Sequence, residues 1–127
     1  MIDIQKQIAY WSNSAAEDWD VARDLINRDG RSLQGLFFVH LSLEKLVKAL
    51  VCKQTNDIPP KIHDLLRLIE LTKVALSPEQ KDFFGKMNLY NIEGRYPDMA
   101  FPKPPLERAK LYLEQAREII EWLSRKL

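Results

Sequence analysis

Three sets of residues in this chain have the types and spacing to do chemistry. His40, Glu44 and Lys48 recur every four residues, so on a helix they share one face. A His and a Glu so placed could share a metal ion, yet metal sites generally draw on three or more protein ligands. The other reading is a hydrogen-bonded polar stripe inside a bundle or at a dimer interface. The second set is His63-Asp64. At a helix start the backbone N–H groups face outward and attract anions, and His63 could join them on a phosphate or simply cap the helix. The third is Arg95-Tyr96-Pro97-Asp98. An arginine offers a planar fork for phosphate or carboxylate, and a tyrosine a stacking face and a hydroxyl. The same residues could instead clamp a loop onto the body of the protein.

Other chemistries lack their residues. The four glycines, Gly30, Gly35, Gly85 and Gly94, include no pair at the spacing of a phosphate-binding loop or a dinucleotide fold. No Gly-x-Ser-x-Gly elbow is present. One cysteine, Cys52, and two histidines cannot build a zinc cage or an internal disulfide. We therefore expect no metal and no cofactor. The formal net charge of +1 gives no global pull toward nucleic acid or an acidic membrane. The opening Met1-Ile2-Asp3-Ile4-Gln5-Lys6 has no signal-peptide pattern, and no apolar run approaches the ~18 residues of a membrane span. With the lone cysteine, this predicts a cytoplasmic location.

The elements that must hold these residues are helices. With 127 residues, 46% hydrophobic and 29% charged, the chain can bury one core without staples. Ile8, Trp11, Ala15, Trp19, Ala22 and Ile26 recur at spacings of three and four, which predicts a first helix from about Ile4 to Arg28, stopped by Asp29-Gly30. From Ser32 to Lys53, apolar residues cover nearly the whole circumference, which places that helix at the centre. Pro59-Pro60 breaks the pattern. A short helix should begin near His63-Asp64, with Asp64 in its first turn. Ser77-Pro78-Glu79-Gln80 reads as a capping box opening a helix that ends near Gly94. The last helix, Pro105 to Lys126, carries Leu106, Ala109, Leu113, Ala116, Ile120, Leu123 and Leu127 as a heptad seam. No segment alternates as a strand does. The prediction is an all-α, up-and-down bundle of about five helices, one domain over residues 1–127, with Trp11, Trp19, Phe37, Phe83 and Phe84 serving the core.

Several of these segments together resemble the HEPN domain, a small α-helical family whose name refers to nucleotide binding. The residues that carry the resemblance are Trp11 with Ala16-Glu17-Asp18-Trp19-Asp20-Val21-Ala22-Arg23-Asp24-Leu25, then Leu43-Glu44-Lys45-Leu46-Val47-Lys48-Ala49-Leu50, then Pro59 or Pro60 before His63-Asp64-Leu65, and Arg95-Tyr96-Pro97-Asp98. The resemblance covers about residues 8 to 125. It implies a helical bundle that commonly dimerises. It also implies one of two roles: pairing with a minimal nucleotidyltransferase, often as toxin and antitoxin, or metal-independent ribonuclease activity. The ribonucleases carry an Arg, four to six residues, then a His. Here His40 follows Arg31 with eight residues between, His63 is further from any preceding Arg, and no His follows Arg95.

The resulting expectation is a non-catalytic, dimeric module that binds a nucleotide or similar anion and partners a nucleotidyltransferase chain. Arg95 and His63 would contact phosphate with Asp64 beside them, Tyr96 would pack on a base or ribose, and Lys45 or Lys48 would add charge. The alternatives are a ribonuclease toxin that uses a displaced His40 or His63 on RNA, and a helical interaction protein with no ligand.

Overall fold

A computed structural model describes residues 2–95 and 103–127, and for residues 93–95 the backbone alone. It is an all-α helical bundle, with five α-helices and no strand among the described residues. Helix α1 spans Ile4–Arg23 and starts where Asp3 accepts from the Lys6 N–H at 3.1 Å. The first helix was expected to run on to Arg28 as α-helix. It does continue that far, but Asp24–Arg28 form a π-helical turn. Gly30 then takes φ +65° and reverses the chain.

Helix α2, Ser32–Thr55, lies against every other helix and is buried over most of its circumference. Its start is pressed onto the end of the first helix. A Cβ on Gly35 would sit 2.3 Å from Ile26 Cγ1, so only glycine permits that approach. Asn56 ends α2 in the left-handed conformation, at φ 56°.

Helix α3 is the single short turn Leu65–Ile69, and its three buried leucine and isoleucine side chains, Leu65, Leu68 and Ile69, anchor it to the core. Helix α4, Pro78–Arg95, opens on the capping box its sequence announces. The Gln80 N–H donates to Ser77 Oγ at 3.1 Å, and the Ser77 N–H donates to Gln80 Oε1 at 2.9 Å.

Helix α5, Leu106–Ser124, buries Ala109, Leu113, Ala116, Ile119 and Leu123. The seam therefore departs from strict heptad spacing. Ile119 is buried and Ile120 only packs at the margin, while Leu106 and Leu127 are exposed. Ile119, one residue earlier than the seam position, turns inward in place of Ile120. The core lies between α2 and its neighbours, with Ile26, Leu36, Leu43, Leu65, Phe84, Met87 and Leu123 fully enclosed.

Candidate functional site

The helical repeat of α2 delivers His40, Glu44 and Lys48 to one face, and that face points inward: the three residues are 0%, 4% and 5% exposed. An enclosed charge must be paired or hydrogen-bonded, and these are. Lys48 Nζ donates to Glu44 Oε2 at 3.0 Å. His63 Nδ1 lies 3.1 and 3.2 Å from the two carboxylate oxygens of Glu44. Because the carboxylate only accepts, His63 must donate from Nδ1. The Lys48 ammonium also stands 5.2 Å from the centre of the Trp11 ring, within cation–π range. Of the two readings of the stripe, the hydrogen-bonded polar stripe inside the bundle is the one observed. Among the described residues no group of three or more His, Cys, Asp or Glu is arranged to hold a metal.

One amide ties this stripe to α3. Asn88, on α4, donates from Nδ2 to Asp64 Oδ1 at 2.9 Å. Its Oδ1 accepts from the Leu65 N–H at 3.0 Å and lies 3.2 Å from His40 Nε2. Since that oxygen can only accept, the proton of neutral His40 sits on Nε2. His40 Nδ1 is left as a bare acceptor, 3.8 Å from Glu44 Oε1 and without a hydrogen-bond partner. Burial pushes the His40 pKa down to about 4, against the opposing pull of Glu44 and Asn88.

Asp64 has a different place from the one expected. It is the N-cap of α3, accepting from the Leu66 and Arg67 N–H groups at 3.0 and 3.4 Å, so the cap is Asp64 rather than His63. That frees the preceding residue to turn onto Glu44. His63 is 48% exposed at its side chain, which makes it the one imidazole of the chain that a ligand can reach.

The other anticipated residues do not all converge here. Lys45 points to α1, with Nζ 2.7 Å from Asp18 Oδ2 and 2.8 Å from Ser14 Oγ. Lys48 is committed to Glu44. Tyr96, Pro97 and Asp98 lie outside the described residues, as does the side chain of Arg95. The backbone of α4 does reach Arg95, two helical turns or about 10 Å beyond Asn88 and at the same angular position on the helix. Buried Asn91 stands between them on that face. Asn88 and Trp11 had been missed as members of the site. Neither has a signal in sequence: Asn88 is a lone amide, and Trp11 looks like any core aromatic.

Glu44 and Lys48 of the central helix and His63-Asp64 after the proline break belong to segments that carried the family resemblance. The HEPN domain family model matches residues 8–127, and the chain belongs to this family. No curated protein and no solved structure matches it. No helix among the described residues is long and apolar enough to cross a membrane.

Proposed function

We propose that this HEPN chain is a non-catalytic, dimeric module that binds a nucleotide or nucleotide-like anion and partners a separate minimal nucleotidyltransferase, in the manner of a toxin–antitoxin pair. The observation that carries the reading is the fixed, half-exposed imidazole of His63. It is held through Nδ1 by Glu44, on the side of the bundle along which α4 runs to Arg95. A ring held in this way presents its remaining edge in a set direction, and Arg95 is the residue assigned to phosphate, which an arginine fork can contact through two hydrogen bonds. Tyr96 is the residue assigned to the base or ribose. Lys48 serves by balancing Glu44, so that the carboxylate does not repel the anion. Lys45, paired with Asp18, adds only to the wider field. The absence of the ribonuclease spacing supports the non-catalytic assignment.

A thermal-shift screen against nucleotides tests this directly. A ligand present at a hundred times its dissociation constant adds about 2.7 kcal/mol to stability. The shift should vanish in His63→Ala and Arg95→Ala, and a minimal nucleotidyltransferase should co-purify with the chain from its own cells. Absence of both signals refutes the proposal and leaves a helical interaction protein with no ligand.

One observation favours a second reading. A histidine whose Nδ1–H is held by a buried carboxylate is oriented as a general base is oriented. If the chain cuts RNA, His63 is the residue that does so, because His40 is wholly enclosed and cannot touch a substrate. Cleavage of RNA by the purified protein, abolished by His63→Ala, would establish that reading.

A further inference from the structure

On the side of α2 opposite Glu44, three lysines close round one cavity. Its volume is about 490 Å³, within the ~300–1,000 Å³ typical of small-ligand sites. Three parts of the chain meet there. The last turns of α2 bring Leu50 and Lys53, the segment between α3 and α4 brings Lys73 and Val74, and the end of α5 brings Trp122 with Lys126 just past it. Lys53 comes nine residues after Glu44, which is about 14 Å along α2 and half a revolution around it. The cavity is therefore separate from the site at His63.

The charge of the lining has one sign. No Asp or Glu side chain contributes to it. Among the described residues none of its three lysines pairs with an acidic side chain; the lysine pairs are those of Lys45, Lys48 and Lys86. Two of the ammonium groups are nonetheless held in place. Lys53 Nζ donates to the main-chain oxygens of Lys126 and Leu127 at 2.9 and 3.0 Å, which leaves its third N–H for a ligand. Lys126 Nζ stands 4.5 Å from the centre of the Trp122 ring, a cation–π contact that leaves its N–H donors available. A carboxylate at Leu127 would offset one of the three charges and leave two. Like charges gathered in this way repel one another until an anion enters. Because two of them are already positioned, less freedom is lost when it does.

An ammonium binds phosphate as a point charge. Several round one cavity suit several phosphate groups within one small molecule. A nucleic-acid strand suits it less well, because such a strand needs charges along a track and open aromatic faces for its bases. Here the charges converge, and the one aromatic ring in the lining carries Lys126 on its face. The net charge of +1 adds no wider field.

We infer that this cavity is a second anion site, which takes a small anion of linked phosphate groups through Lys53, Lys73 and Lys126, with Trp122 positioning Lys126. The site goes beyond the nucleotide reading above and depends on neither His63 nor Arg95.

Calorimetry with inorganic tripolyphosphate tests it, at constant ionic strength. The full chain carries His63→Ala and Arg95→Ala, so that the first site is removed; His63→Gln is the milder choice if circular dichroism shows a damaged fold. Tripolyphosphate should bind one to one. Adding Lys73→Gln or Lys126→Gln should weaken binding at least about tenfold each, and both positions are exposed, so the fold should be unchanged. Lys81→Gln, exposed on α4 and outside the cavity, should leave the affinity as it was. ATP should bind no more tightly than tripolyphosphate, since no open ring face awaits its base. No binding at millimolar tripolyphosphate, or equal weakening by Lys81→Gln, overturns the site. Tighter binding of ATP, or of single-stranded RNA where tripolyphosphate is silent, overturns the assignment to a small phosphate chain. The thermal-shift screen on His63→Ala alone bears on the nucleotide reading, so either can fail without the other.

Discussion

Replacing Glu44 by Gln should be among the most damaging single changes in the molecule, although it alters few atoms. The Glu44 side chain is 5% exposed, and its carboxylate accepts from the ammonium of Lys48, whose side chain is 7% exposed, and from His63 Nδ1. An amide in its place keeps the shape but strands the lysine charge in the interior. Removing one member of a buried ion pair costs about 3–5 kcal/mol, out of about 5–15 kcal/mol that holds a whole domain together. Urea unfolding at neutral pH, followed by circular dichroism, would register this as a lower midpoint with an unchanged slope. Lys48→Met in the Glu44→Gln background should recover most of the loss, since a well-packed apolar replacement of both partners is often neutral. The double-mutant cycle should then give a coupling of at least about 3 kcal/mol, the top of the usual range. If Glu44→Gln costs under about 1 kcal/mol, or if Lys48→Met deepens the loss, Lys48 finds water on its own and the account of an enclosed pair is wrong.

Stability should fall as the solution is acidified from pH 6.5 toward pH 4. Unfolded His40 binds a proton near pH 6.5, whereas folded His40 resists until about pH 4, so in that window the unfolded state holds more protons and gains, by about 3 kcal/mol at most; urea midpoints across the range should show a shallower slope in His40→Gln. Gly35→Ala should destabilise despite better helix propensity, because its Cβ would overlap Ile26; overpacking of this kind costs about 1–3 kcal/mol, measurable as a lower melting temperature. Asp64→Ala removes the α3 cap and the acceptor of the Asn88 amide. It should cost about 1–2 kcal/mol and weaken any ligand response that depends on His63, which a thermal-shift titration would read.

The sequence made the helices legible because their apolar residues recur at helical spacing and their ends carry chemical markers: Ser77 with Gln80, Asp29-Gly30, and the paired prolines at 59 and 60. It made the stripe of His40, Glu44 and Lys48 legible for the same reason, since a spacing of four is itself a statement about a face. What joined the stripe to the rest was not legible. His63 meets Glu44 from nineteen residues further along the chain, and Asn88 bridges from a third helix; such meetings depend on how helices pack, which local periodicity does not encode. The swap of roles between His63 and Asp64 turned on one residue of helix boundary, where local rules are weakest. Lys45 and Lys48 looked equivalent in sequence, but a step of three residues, about 300° on a helix, sends one to Asp18 and the other to Glu44. The π-helical turn at Asp24–Arg28 gave no warning because the apolar spacing from Ala22 to Ile26 suits either helix type.

The order of the helices along the chain has a consequence for the newly made protein. Helices α1 and α2 are consecutive, joined by a tight reversal at Gly30, and form the most extensive helix pair in the bundle. Contacts so local close quickly, so this hairpin can assemble while the later half of the chain is still being synthesised. At that stage Trp11 of α1 already stands over Lys48, while Glu44 still lacks His63. Glu44 gains its second partner only when His63 arrives, so the candidate site is completed by a segment made after the helix pair that carries its charges.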